Sequence, residues 1–220
     1  MNSDEFDKQF DEYRTYLQFE VARFMDYVAV YRCIDARKAD RLETLNLAPA
    51  FFRVVESAVF TGIILWADKL FDEKGERGFF NFLLFVEHNI KWLSIAKLQR
   101  RRNYPDNHWM LKDRTPITFD SINEDRRKIR EIEVLKSIRL RRDKFHGHFD
   151  KDYFYDRDRL AAEAPIRWQD LGAAETLMVQ LVNDYSVDFD GNMYAKNTIN
   201  IDDLDVLLDY AHRAQIAEAD

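Results

Sequence analysis

The sequence of 220 residues contains little cysteine, glycine or proline. Cys33 is the only cysteine, so no disulfide bond can form within one chain and a cysteine-based zinc site is excluded. There are 6 Gly and 4 Pro, whereas average usage would place roughly 15 and 11 in a chain of this length. Because turns rely on these two residues, the composition predicts few turns and long elements, which favours helices.

The sequence also lacks the segments that would direct it to a membrane or out of the cell. The N-terminus, MNSDEFDK, is acidic and has neither the basic start nor the apolar run of a secretory signal. The longest apolar run, 58–67, has about ten residues, fewer than the roughly 20 that a membrane-spanning helix needs. We therefore expect a cytoplasmic protein with no membrane partner, in agreement with its single cysteine.

The net charge of −7 argues against a protein that coats nucleic acid through its overall field. Positive charge is nevertheless concentrated locally, because nine Lys or Arg stand against three acids between Arg126 and Lys144. A second basic cluster consists of Lys97 and residues 100–102. It opens a stretch without clear periodicity, 100–120, and loops of this length are uncommon and frequently functional.

Apolar residues recur at steps of three and four along most of the chain, which predicts an all-α fold. Helices are predicted over residues 5–39, 49–71, 79–98, 168–185 and 201–214. A further helix, capped by Ser121 or Asn123, is predicted to run to about 145 with one apolar face, formed by Ile129, Ile132, Leu135, Ile138, Arg142 and Phe145.

The predicted architecture is an up-and-down helical bundle with long loops. Alternating apolar positions around Asp190 and Gly191 predict one small β-hairpin near 187–195. We expect one domain over 1–220, with a core at about 1–150 and a C-terminal helical extension at about 165–220.

The segment RRDKFHGHFDK, residues 141–151, is the densest collection of charged and titratable residues. Arg142 follows Ile138 by four residues and Leu135 by seven, so on an ideal helix it points toward the apolar face. A guanidinium there needs an acceptor, which can be a structural carboxylate or a substrate phosphate. Gly147 is predicted to end the helix in the left-handed conformation, with His148 at or just past that end.

The same segment contains a possible set of metal ligands. His146, His148 and Asp150 alternate, and on a strand they would converge on one side, as in the H-x-H-x-D-H box of metallo-β-lactamase folds. However, Lys151 stands where that box has a histidine, and the preceding residues have helical periodicity. We therefore expect no metal site and no cofactor.

The segment resembles the R-x(4-6)-H signature of the HEPN superfamily, and more narrowly the RDK…AH.D form of the abortive-infection AbiU-type proteins. The matching residues are Arg142, Asp143, Lys144, Gly147, His148 and Asp150. The upstream segment ADKLFDE, 67–73, is also similar to the N-terminal half of that family. The resemblance covers about residues 1–150.

This resemblance implies a HEPN-like bundle that forms a homodimer, with two copies of the motif facing each other, and in many members a metal-independent endoribonuclease. A histidine whose pKa is near neutrality can exchange a proton with a ribose 2′-hydroxyl or a leaving 5′-oxygen. An arginine can stabilise the charge that develops on the phosphate. His148 is thus the expected acid and base, Arg142 the expected phosphate ligand, and Asp143 the group that orients either.

Arg141, Lys144 and His146 are the expected RNA-binding residues of the motif. The register stays open, because Arg141 followed by His146 or by His148 also fits the allowed spacing. The implied activity is that of a toxin or antiphage effector, with RNA or a nucleotide as substrate and an antitoxin protein as a further partner. The alternative is a HEPN-like module that binds RNA, a nucleotide or a protein without chemistry.

Overall fold

A computed structural model describes residues 1–112, 114–195 and 200–219 of the chain. All regular structure in these ranges is helical, which confirms the all-α fold. The α-helices are α1 (Ser3–Arg37), α2 (Leu42–Leu45), α3 (Pro49–Phe71), α4 (Phe79–His88), α5 (Ile95–Arg102), α6 (Phe119–Glu131), α7 (Glu133–Arg141), α8 (Lys151–Tyr155), α9 (Arg157–Glu163), α10 (Trp168–Asp190) and α11 (Asp202–Ala219). Two short 3-10 turns span Ile90–Leu93 and Trp109–Leu111, and a π-helical turn spans Arg142–His146.

Local sequence signals explain where the two longest N-terminal helices begin. Asn2 caps α1: its side chain accepts a hydrogen bond from the amide of Glu5, whose carboxylate accepts one from the amide of Asn2. Pro49 occupies the first turn of α3, where its missing N–H is not needed. The apolar face of α1 then packs against α3, whose second half contributes the buried residues of this contact.

The core of the bundle brings α10 against the first and fourth helices. The ring of Phe189 in α10 stacks on Phe10 of α1 with 4.4 Å between centroids, and Tyr185 contacts Phe82 of α4 at 5.4 Å. The buried hydroxyl of Tyr185 donates a hydrogen bond to Asp125 of α6 at 2.9 Å. Since α10 contributes residues to the same core as α1, this helix is integral to the fold.

The predicted hairpin is wrong. α10 continues to Asp190, and Gly191 ends it in the left-handed conformation with φ 78°, so no strand forms between 187 and 195. Phe189 is in the core, and Asp190 pairs with Arg14 of α1 at 2.9 Å, which keeps this last turn helical. The alternating apolar residues are therefore the end of a helical stripe.

Two predicted helices are each divided into shorter elements. The predicted helix 79–98 is interrupted at Asn89, whose side-chain Nδ2 donates to the carbonyl of Phe85. The helix that leads into the motif starts from Thr118 instead of Ser121 or Asn123, because Thr118 and Ser121 form a reciprocal capping box. It is interrupted at Ile132, whose extended backbone (ψ 106°) separates α6 from α7.

α3 is, among the described residues, the one helix long and apolar enough to cross a membrane by length and composition. Only 22% of its most apolar window is buried. The buried part is its C-terminal half, where Ile63, Ile64, Ala67 and Leu70 enter the core, whereas Phe51 and Val54 at its beginning are exposed. Only the C-terminal half of α3 is therefore buried in the bundle.

Candidate functional site

The motif segment begins where α7 changes into the π-helical turn. The amide of Gly147 donates to the carbonyl of Arg142 at 2.7 Å, an i to i+5 hydrogen bond that widens the turn. Gly147 has φ −92°, so the predicted left-handed stop is wrong. A glycine is needed here for space, because a Cβ at this position would lie 2.9 Å from the carbonyl oxygen of Arg142.

Two carboxylates hold the guanidinium of Arg142. Its Nη1 lies 3.1 Å from Oδ2 of Asp68 in α3, and its Nε lies 2.7 Å from Oδ1 of the adjacent Asp143. The Asp68 residue is only 8% exposed, and burial raises the pKa of its carboxyl while the charge of Arg142 opposes that rise. Asp143 is exposed. In the free protein, Arg142 is therefore paired with a carboxylate on each of two sides.

Arg142 also lines the wall of a large open cleft of about 1370 Å³. The other lining residues belong to α1, to the second half of α3, to the loop that follows α3 and to α4. Trp66 lies in this cleft, where its Nε1 donates to Glu20 at 2.6 Å and Lys69 lies 4.3 Å from its ring. The cleft contains acids and bases in similar number, so its electrostatic field is mixed.

His148 follows the π-helical turn and is exposed. It forms no hydrogen bond or ion pair with any described residue, and it does not line the cleft beside Arg142. The position at or just past the helix end agrees with the sequence prediction. Its imidazole is therefore accessible to a ligand from solvent.

Arg141 and His146 form a second group, which faces the middle of α3. The Nδ1 of His146 lies 3.2 Å from Oγ1 of Thr61, and the Nε of Arg141 donates to the carbonyl of Ala164 at 2.6 Å. Burial, followed by the charge of Arg141, lowers the pKa of His146 and so favours its neutral imidazole. The guanidinium of Arg141 lies 5.4 Å from the ring of Phe60. Arg141 and His146 are therefore both half-buried, and each contacts another part of the fold through its side chain.

Lys144 and Asp150 close the motif segment. The Nζ of Lys144 lies 2.7 Å from Oδ2 of Asp150, and this contact is the largest cause that lowers the pKa of Asp150. The other oxygen of Asp150 accepts from the amide of Asp152 and so caps α8. In the described part of the chain, no three His, Cys, Asp or Glu side chains cluster in a way that could hold a metal ion.

Comparison with known proteins places these features in a family. The model of the family HEPN_AbiU2, described as AbiU2, matches residues 7–215, nearly the whole chain. The chain belongs to this AbiU2 family. No curated protein and no solved structure gives a significant match.

The candidate site contains one residue that the sequence analysis did not single out. Asp68 lies within the segment ADKLFDE that carried part of the resemblance, but its role depends on a partner 74 positions away. The available signal was its location, since Asp68 follows Ile64 by four residues and precedes Phe71 by three on an apolar helix. An acid at such a position needs a cation or a polar partner.

Proposed function

We propose that this AbiU2 domain is a metal-independent endoribonuclease in which His148 transfers protons and Arg142 binds the reacting phosphate. The observation that carries the proposal is the arrangement of the motif. Arg142 is fixed at the wall of an open cleft by the buried Asp68, and His148, six residues later, is exposed and unengaged. One group is positioned in advance and the other is available to substrate.

The reaction that suits these groups is transesterification within RNA. A neutral imidazole of His148 removes the proton of a ribose 2′-hydroxyl, the 2′-oxygen bonds to phosphorus, and the bond from phosphorus to the 5′-oxygen breaks. A protonated imidazole, supplied by the same residue or by His148 of a second protomer, donates the proton to that oxygen. The products are a 2′,3′-cyclic phosphate and a 5′-hydroxyl.

Arg142 requires a rearrangement for this role. With Asp68 and Asp143 it forms a group of net charge −1, which repels a phosphate. Asp143 is exposed and can turn into solvent, whereas Asp68 is buried and remains. Substrate thus replaces Asp143, and the pair of Arg142 with Asp68 keeps the guanidinium in place. In a homodimeric toxin or antiphage effector, an antitoxin protein covering this segment would prevent the exchange.

The test uses purified protein and single-stranded RNA of several sequences, in excess chelator. We expect cleavage with 2′,3′-cyclic phosphate ends, and a decrease of about 10² to 10⁴-fold in His148→Ala, the usual contribution of a general acid or base. The matched control is His212→Ala, which removes another exposed histidine, located in α11, and should keep full activity. Undiminished cleavage by His148→Ala would exclude the proposed site.

A second candidate function is binding without chemistry. It is favoured by the neutralisation of Arg142 by two carboxylates, an arrangement that also suits a purely structural ion pair. In that case the protein would bind RNA or a nucleotide, or a protein, and every RNA would be recovered intact. The same product assay, combined with a binding measurement on the intact RNA, separates the two functions.

A further inference from the structure

A second basic region, separate from the motif, lies between Lys91 and Arg114. It contains seven Lys or Arg against two Asp, an excess of five positive charges on a chain whose net charge is −7. The same segment contains the aromatic residues Trp92, Tyr104 and Trp109. Interleaved cations and aromatic rings are the two components of surfaces that bind single-stranded nucleic acids.

Two of these cations anchor the segment to the rest of the fold. Arg101 pairs with Asp7 of α1 at 2.5 Å and also donates to the carbonyl of Trp92 at 2.9 Å. Arg114 pairs with Asp188 of α10 at 3.3 Å. Both arginine side chains are nearly buried, and we do not count them as available to a ligand.

Four of the five remaining cations lie on or near α5 and stay available on the surface. Lys91, Lys97 and Arg100 form no ion pair with any carboxylate of the described residues. The Nζ atoms of Lys91 and Lys97 lie 5.0 and 4.3 Å from the ring centroid of Trp92. Arg102 is exposed at the end of α5. We name these four cations, with Trp92 and Trp109, the basic-aromatic surface.

Trp109 belongs to the same segment of the chain and begins the short 3-10 turn that follows His108. The indole is 75% exposed, although its neighbours are firmly held. The ring of His108 stacks on Tyr104 with 3.8 Å between centroids and 5° between planes, and its Nδ1 accepts a hydrogen bond from the amide of Met110. Asn103, with φ 50°, supplies the left-handed residue that redirects the chain after α5. The largest side chain of this loop is thus displayed on a fixed support.

We propose that the basic-aromatic surface binds single-stranded RNA outside the motif, with phosphates on its four cations and an unstacked base on Trp109. Unpaired RNA fits because stacking on a side chain needs a base free of a helix. The inference rests on the proposed function only in the class of substrate. It adds a second contact with the same strand, which would hold RNA while the motif acts.

The experiment measures fluorescence anisotropy of a labelled 12-nucleotide RNA in the His148→Ala background, in which we expect cleavage to be slow, and gel analysis of the same samples checks that the RNA stays intact. We expect Trp109→Ala to weaken binding about 5- to 100-fold, the range for loss of one stacked base. Lys91→Gln with Arg100→Gln should reduce the slope of log K against log salt by about 1.4, since each phosphate on a single strand contributes about 0.7.

Matched controls use exposed residues elsewhere. Phe19→Ala removes an aromatic side chain of α1 that is 65% exposed, and Lys8→Gln with Lys136→Gln neutralises two exposed lysines. These control variants should leave the affinity for RNA and the slope of log K against log salt nearly unchanged. A duplex of the same sequence should bind more weakly than the single strand and should be insensitive to Trp109→Ala.

The outcomes separate this inference from the proposed nuclease. RNA binding that depends on Trp109 in a protein that cleaves nothing would support the surface and contradict the nuclease. Cleavage that depends on His148, with binding unchanged by Trp109→Ala and by the double neutralisation, would overturn the surface and keep the nuclease. Absence of measurable RNA binding, or an equal effect of Trp109→Ala on the duplex, would also overturn it.

Discussion

The pair of Arg142 with Asp68 makes the most direct test of the site, because it can be measured without any substrate. We compare Asp68→Asn, Arg142→Ala and the double variant. Asp68→Asn keeps the shape of the side chain but removes its charge. Arg142→Ala removes the guanidinium that offsets the burial of the Asp68 carboxylate. The double variant removes both members of the pair.

The structure sets the size of each effect. A carboxylate that loses its partner in a fully buried pair costs about 3–5 kcal/mol. The Arg142 side chain is 34% exposed, so solvent reduces that cost, and we expect about 1–3 kcal/mol for Arg142→Ala. Asp68→Asn should cost less than Arg142→Ala, because the raised pKa of Asp68 means that its carboxylate is held at a cost, which the neutral amide removes. The double variant should cost less than the sum, with a coupling of about 1 kcal/mol.

The pH dependence gives an independent check. Burial raises the pKa of Asp68 in the folded protein, so the stability linked to this group is present when it is protonated and is lost as pH rises. Removal of Arg142 raises that pKa further, and the penalty of Arg142→Ala should therefore be larger at pH 7 than at pH 4. Urea denaturation at both pH values measures it. A coupling below about 0.3 kcal/mol, or a penalty independent of pH, would refute the reasoning.

Two further substitutions test the turn and the core. Gly147→Ala should destabilise the protein by about 1–3 kcal/mol, because its Cβ would lie 2.9 Å from a backbone oxygen. Gly172→Ala is the control and should be neutral or stabilising, because its Cβ meets only Arg32 at 3.8 Å. Equal melting temperatures of the two variants in thermal denaturation would contradict this prediction. Asp188→Asn should gain stability relative to the wild type, by up to about 3 kcal/mol, between pH 4 and pH 7. Burial raises the pKa of Asp188 to about 6, so its stabilising contribution is lost as pH rises through that value, and a difference that stays constant in urea titrations over this range would exclude it.

Sequence periodicity predicted the helices with strong local signals. α3 was predicted from its proline and its apolar run, and both of its ends agree with the structure. The interruption at Asn89 was missed because the surrounding residues are apolar on all sides, so that no face shows where the helix ends. The last turn of α10 was missed because it is held by Arg14, a tertiary contact that alternation of apolar residues does not reveal.

The sequence predicted which segment forms the candidate site, but it predicted the contacts between the side chains of that segment only in part. The motif indicated which residue types act together, and Arg142 does turn toward the bundle. The π-helical turn depends on an i to i+5 hydrogen bond that the helical pattern does not distinguish from a regular turn. The role of Asp68 depends on its contact with a distant segment. The choice between the pairs Arg141 with His146 and Arg142 with His148 stays a prediction.

The place of α10 in the core has a consequence for how the protein is made on the ribosome. The motif leaves the exit tunnel about 40 residues before the end of α10, which at ordinary elongation rates is a delay of about 2 to 8 seconds. During that interval Phe10 and Phe82 have no α10 rings to cover them. The nascent chain therefore exposes aromatic side chains until α10 has been synthesised, and a chaperone that binds exposed aromatic residues can act during that interval.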